Sequence, residues 1–534
     1  MVYIKMRTNS KKLERGVFMK FISAKEVVKK IENNSTVATG GFVGIGVAEE
    51  ILTEIEKNYL ENKKPNNLTL IYAAGQGDGK EKGLNHLAYE GLVNKVIGGH
   101  WGLVPKLGNL ALDNKIQGYN LPQGVISHMF RDIASGKKGT ISKIGIGTFV
   151  DPQLQGGKVN EVTSENIVKD IFIENERYLY FKAPSKIDFA ILRGTLADED
   201  GNISLEKEAL TLESLALAMA TKNSGGKVIV QVERKVKNGS INPKLVGIPS
   251  IFVDYIVLCS DAKYHHQTFG IEYDESFVNS SIILDNVKEK SALDERKVIA
   301  RRCAMFLSKD DKILNYGIGM PEGIAEVLRD GNQEHLFIPT VEPGAIGGTP
   351  AGGLSFGASS IPQAIIDQPY QFDFYDGGGL DMAFLGLAQC DSNGNINVSK
   401  FGPKIAGCGG FINISQNAKK VIFCGTFTAG GLKIKLTNDG VTILNEGKSK
   451  KFIKEVEQIT FSSKTANLNN QPVYYVTERA VFKLVENGLE LIEIAPGIDL
   501  EKDILNNMEF KPIISKNLKL MAKEIFEDDF KLDL

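Results

Sequence analysis

Cysteine is scarce and scattered: Cys259, Cys303, Cys390, Cys408 and Cys424 are the five in 534 residues, with no C-x-x-C pair. An odd, dispersed set argues against a disulfide framework and fits a reducing cytoplasm. Histidine is nearly as rare, and the six (His86, His100, His128, His265, His266, His335) lack metal-ligand spacing, so no metal is expected. A net charge of −2 carries none of the basic excess of a nucleic-acid binder. No apolar run approaches the roughly 18 residues of a membrane span, and no G-x-S-x-G elbow marks a serine hydrolase.

What the chain does have is length and glycine. At 534 residues with 42% hydrophobic composition it can bury more than one core, and two large domains are expected. Residues 1–18 are basic without the apolar run of a secretory signal, and Met19 precedes a good folding unit, so 1–18 read as a disordered extension. Ser23-Ala-Lys-Glu26 is a capping box opening a short helix. Ser35–Thr39 reads as a strand, Gly40–Leu52 as a glycine loop entering a helix, and Leu68–Tyr72 as the next strand, which together make a parallel βαβ unit.

The same order recurs after residue 290: a helix near Asp294–Phe306, the strand Lys312–Asn315, a loop and helix through Leu328, then a strand running to Glu342. Gly44-Ile-Gly46 aligns with Gly317-Ile-Gly319, and the region of Ala74 with Glu342. Asp188–Ile203 aligns on Asp381–Ile396 without gaps, at a constant offset of 193, with seven of sixteen positions identical; Lys227-Val-Ile229 and Lys420-Val-Ile422 keep that offset. Two such units are a duplicated domain, not a solenoid. The expected layout is an N-terminal domain 19–270, a linker 271–290 and a C-terminal domain 291–534 whose charged tail from Met521 forms a terminal helix.

The stretch Thr340–Gly357 places Glu342 between the apolar Leu336-Phe-Ile338 and a glycine-rich turn containing Gly344, Gly347 and Gly348. A carboxylate carried to a strand end on tight backbone is the posture of an active-site residue. Gly317-x-Gly319-x-x-x-Gly323 has the wrong spacing for a dinucleotide fingerprint, yet a glycine turn at a helix start can still receive a phosphate, with Asn315 beside it as an amide donor. Tyr375–Gly379 and Gly402–Gly410 are further glycine-rich stretches whose ordering calls for a ligand.

Taken together, Gly40-Gly-Phe42 with Gly44-x-Gly46, Gly98-Gly-His-Trp-Gly102, Pro122-Gln-Gly124, Asn315–Pro321, Val341-Glu-Pro-Gly344 with Gly347-Gly348, and Gly407-Cys-Gly-Gly410 resemble the family I CoA-transferases over nearly all of 19–520. The closest likeness is to the acetate/propionate branch, with both halves on one chain. Related 3-oxoacid transferases commonly carry E-N-G where this chain has Glu342-Pro343-Gly344, which favours that branch.

The resemblance implies two duplicated open α/β domains of CoA-transferase type facing across a cleft. It implies that Glu342 becomes a glutamyl-CoA thioester, and that the Gln123 amide with a backbone N–H at Gly409 or Gly410 forms the oxyanion hole. For the CoA ester the candidates are Gly44, Gly46, Asn315, Gly317, Gly319, Gly347, Gly348, Gly377, Gly378, Lys404 and Gly407. It further implies no permanently bound cofactor, acyl-CoA and short-chain carboxylates as substrates, no nucleic acid or membrane partner, and a cytoplasmic homo-oligomer, dimer or tetramer. An acyl-CoA hydrolase using Glu342 to activate water, and a metabolite-binding regulator with no need of Glu342, remain as alternatives.

Overall fold

The structure is a computed structural model that describes residues 20–282, 292–438 and 440–534. The expected extension 1–18 lies outside the described residues, as does 283–290 of the expected linker.

Two ten-stranded sheets organise the chain. In the first, Leu68–Tyr72, Thr36–Thr39, Phe189–Ala197, Lys227–Lys235 and Tyr255–Leu258 lie side by side in that order, every pair parallel. In the second, Ile338–Thr340, Ile313–Tyr316, Met382–Gly386, Lys420–Cys424 and Val473–Val476 repeat the arrangement, again parallel throughout. Parallel neighbours need crossover connections, and covered faces explain strands as uniformly apolar as Val228-Ile-Val230 and Val421-Ile-Phe423.

The ladders carry the duplication at single-residue resolution. Phe189 pairs with Lys227 as Met382 pairs with Lys420, which is the 193-residue offset read from the sequence. Ala38 pairs with Ala190 as Asn315 pairs with Ala383, so Gly40, and not Gly44, is the counterpart of Gly317. The first glycine loop is therefore the longer one, and Gly44-Ile-Gly46 belongs to its extra residues. Ala38 also pairs with Ile71, and Asn315 with Thr340, which makes Ala73 the counterpart of Glu342.

Local signals account for several elements. Ser23 and Glu26 form the reciprocal capping box at the start of helix Ala24–Val28. Asp294 caps helix Glu295–Ala304 by accepting from the Lys297 N–H. The tail differs from expectation: its one regular piece is a short 3₁₀ turn, Lys523–Phe526, not a helix. Ile525 and Phe526 are buried there, and the Arg301 guanidinium donates to the Ile525 and Glu527 carbonyls, so packing and one arginine hold the tail. Within 271–282, Ser276 and Phe277 are buried, and the Ser276 carbonyl accepts from Ile361 N–H.

The halves share apolar surface. Phe42, Val43, Ile45, Leu210 and Leu212 of the first form one cluster with Val341, Ala345, Phe356 and Ala358 of the second. Cys408 and Ile412 insert into the core of the first half. Glycine-rich backbone makes that insertion possible: Ala406 carbonyl accepts from the Trp101 and Gly102 N–H groups at 2.7 and 2.8 Å, and the Gly409 carbonyl accepts from Gln123 N–H at 2.9 Å. Among the described residues no helix is long and apolar enough to cross a membrane.

Candidate active site

A cavity of about 130 Å³ lies between the halves. Gln123, Asn315, Gly317, Glu342, Gly409 and Gly410 line it, bringing together six of the residues expected from sequence.

Glu342 reaches it because the strand Ile338–Thr340 ends two residues earlier and the chain turns at once. Gly344 N–H closes the turn on the Val341 carbonyl at 3.0 Å. Gly344 has φ +127°, and a Cβ there would lie 2.0 Å from the Ile366 carbonyl oxygen, so this position requires glycine. Glu342 is half-buried at the cavity wall, and burial pushes its carboxyl up to about 7. A layer of polar side chains backs the strand end. The Asn315 amide donates to the Thr340 carbonyl at 3.1 Å, and the Tyr375 hydroxyl donates to Thr340 Oγ1 at 2.8 Å. Asn315 thus holds the strand that carries Glu342, and its amide nitrogen is turned to protein and not to a ligand.

Gln123 begins helix Gln123–Ala134 and is fully buried at the domain boundary. Of the two backbone candidates, Gly409 has its N–H committed to the Gly99 carbonyl at 2.8 Å, whereas Gly410 N–H has no acceptor among the described residues. Gly410 also sits closest to the carboxylate: a Cβ on it would be 3.3 Å from Glu342 Cγ. Of the two, Gly410 is therefore the one with an uncommitted N–H beside Glu342.

The other expected ligand contacts lie elsewhere. Gly44 and Gly46 face protein, where a Cβ would meet Phe269 at 2.4 Å and Leu212 at 2.5 Å. Gly347 and Gly348 link strands Ala345–Ile346 and Thr349–Pro350 and face Gln363 and Ser360. Gly377 and Gly378 end helix Gln368–Asp376, with Gly377 N–H on the Asp373 carbonyl, so helix termination accounts for them without a ligand. Gly407 is the point of close approach to Trp101. Lys404 is exposed on the hairpin of Lys400–Phe401 and Lys404–Ile405. Gly319 has open space around it beside the cavity-lining Ile318.

His100 also lines the cavity, and burial pushes its imidazole down to about 4, so it is neutral near pH 7. Its sequence signal was the Gly98–Gly102 motif, and a glycine outside that motif admits the ring: a Cβ on Gly75 would lie 2.6 Å from His100 Nδ1. Phe42 and Phe356, one from each half, meet with ring centroids 5.7 Å apart at the apolar wall. No pattern in the sequence singled out Phe356.

Residues 21–258 match the family model for coenzyme A transferase. The acetate CoA-transferase YdiF of Escherichia coli K12 is 45% identical over 95% of both chains. This chain belongs to the CoA-transferases. The caffeate CoA-transferase of Acetobacterium woodii is 46% identical over 95% of this chain and 98% of its own. The crystal structure of YdiF apoenzyme from E. coli O157:H7 superposes with a TM-score of 0.90 at 43% identity, covering 96% of each chain. That CoA-transferase has also been solved as a thioester complex with CoA, which superposes at 0.89 with 43% identity over 96% of each chain. The two-domain α/β architecture of this CoA-transferase is thus matched along nearly its whole length.

Proposed function

We propose that this CoA-transferase moves CoA between an acyl-CoA and a short-chain carboxylate through a thioester on Glu342. The observation that carries the reading is the enclosed Glu342 carboxylate facing a small cavity whose other walls offer Gln123 and Gly410. A Glu342 oxygen attacks the acyl-CoA carbonyl and the CoA thiolate leaves, giving a mixed anhydride. The thiolate then attacks the glutamyl carbonyl, releasing the first carboxylate and leaving glutamyl-CoA; an acceptor carboxylate reverses the sequence. One thioester replaces another, so the exchange is close to thermoneutral. Each addition puts charge on an oxygen, where one preorganised donor contributes about 3–4 kcal/mol. Burial keeps Glu342 basic, and a carboxylate of higher pKa is the better nucleophile once ionised.

The relatives named for acetate and for caffeate span a wide range of acyl size. The cavity of about 130 Å³, walled by Val43, Leu103, Phe356 and Leu385, favours the small end, acetate, propionate, butyrate or lactate. It lies well below the roughly 300–1,000 Å³ of pockets for larger ligands.

Intact-protein mass tests the mechanism. Incubation with acetyl-CoA and no acceptor should leave the protein heavier by one CoA less one water, on the peptide holding Glu342, and added propionate should remove the adduct and form propionyl-CoA. Glu342→Ala should form no adduct. Steady hydrolysis with no adduct would favour the hydrolase, and reversible binding lost on denaturation the regulator.

A further inference from the structure

Gln123 does not stand alone in the domain boundary. Its Nε2 donates to Gln368 Oε1 at 3.0 Å, and Gln368 Nε2 donates in turn to Ser127 Oγ at 2.6 Å and Glu213 Oε2 at 3.0 Å. All four side chains are buried to 1% exposure or less. Gln123, Ser127 and Glu213 belong to the first half, whereas Gln368 opens a helix of the second, Gln368–Asp376. Its backbone is docked as well, with Gln368 N–H on the Leu212 carbonyl at 3.0 Å.

An amide in such a place has few choices. Both N–H groups of Gln368 have oxygen acceptors on the Ser127 and Glu213 side, so its own oxygen is the atom presented to Gln123. An oxygen there can only accept, so Gln123 must turn its NH₂ toward it. That fixes the flip of the Gln123 amide, with its nitrogen on Gln368 and its second N–H left over.

We propose that Gln368 is a positioning residue for the transfer reaction: anchored by Ser127 and Glu213, it aims the Gln123 amide at the oxyanion. The proposal rests on the oxyanion role given to Gln123 above. Burial pushes the Glu213 carboxyl up to about 8, and with Oε1 lacking a partner, Oε2 accepts from Gln368 whether or not the other oxygen carries the proton. The arrangement also makes the first half's donor depend on contact with the half that carries Glu342. The donor is therefore aimed only when the two halves are together.

A double-mutant cycle tests this. Gln368→Met keeps the length of the side chain but offers no amide oxygen. It should lower kcat about 10-fold to 100-fold, the scale of a misaimed catalytic group, with KM for acyl-CoA within about twofold. Gln123→Ala should lower kcat further, and adding Gln368→Met to it should change nothing more, because the amide being aimed is already gone. Ser127→Ala, a mild substitution inside a helix, should show a smaller kcat loss that also vanishes in the Gln123→Ala background. It decides the matter in the same way if Gln368→Met does not fold. Losses that multiply in the double variants, a change in KM alone, or an unchanged kcat would overturn the positioning role and leave the oxyanion reading intact. A Gln123→Ala enzyme with full kcat would overturn both.

Discussion

The proposed chemistry turns on a carboxylate that is raised by burial and yet must ionise to react. With Glu342 pushed up to about 7, the free enzyme is half-competent near neutrality and loses competence as pH falls. Log kcat/KM should therefore rise with unit slope up to about pH 7 and flatten above it, since that profile reports groups of the free enzyme. A profile flat down to pH 5 would mean an ordinary carboxylate. Glu-Pro-Gly alone reads as an ordinary surface turn; Glu342 stood out in the sequence because it sits between an apolar strand and a glycine-rich stretch, and its proposed role, like that of Gln123, was legible through the family likeness. Gln368 was not: Asp367-Gln-Pro369 has no pattern of its own, and its role exists only through partners 155 and 245 residues away along the chain. Gly409 was half-legible. The Gly407–Gly410 motif showed that backbone would approach the site, but only the fold shows that Gly409 N–H is already committed to Gly99.

At the scale of elements, the contact between helices Gln123–Ala134 and Gln368–Asp376 joins the half that carries Gln123 to the half that carries Glu342. Its outer end is held by the Arg131 guanidinium, which donates to both Asp373 oxygens at 2.6 and 2.8 Å. Burial alone would raise Asp373, but His128 and Arg131 hold it well below the usual carboxylate range. A depressed carboxyl stabilises the fold at neutral pH and loses that effect as pH falls through its folded value. Asp373→Ala should accordingly cost about 0.5–1 kcal/mol at pH 7, a modest figure because the pair is partly exposed. The cost should shrink in acid, as read from urea midpoints at pH 7 and pH 3. An equal cost at both would assign the effect to packing. The helix Gln368–Asp376 itself escaped the sequence reading: its aromatic and polar residues lack a clear 3.6-residue stripe because both faces are occupied, with Phe372 and Tyr375 inward and Asp373 across the boundary. The βαβ units and the capping box were legible because their signals are local.

At the scale of the whole molecule, the two halves share buried apolar surface. Cys408 and Ile412 complete the core of the first half, and a mixed cluster around Phe42 and Phe356 seals the cleft. Calorimetry should give a single unfolding transition in which neither half melts alone; two resolved transitions would show that the shared apolar surface is too small to couple them. The duplication, and hence the two-sheet architecture, was legible from the 193-residue repeat because apolar strands and Asp-x-x-Gly-Asn turns keep their spacing in both copies. The longer first glycine loop was not, since its extra residues happen to repeat the Gly-Ile-Gly of the other half.

Pairing of the ladders sets Ala73 where the second half has Glu342, and Gly75, two residues on, lines the same cavity. A carboxylate at Ala73 would lie in the apolar core of the first half, where a second charge beside Glu342 would hold one of the two protonated. The broken symmetry leaves Glu342 without a carboxylate twin at the matching position. One twin keeps the reactive acid, and the other, relieved of it, is reshaped into the surface against which that acid works.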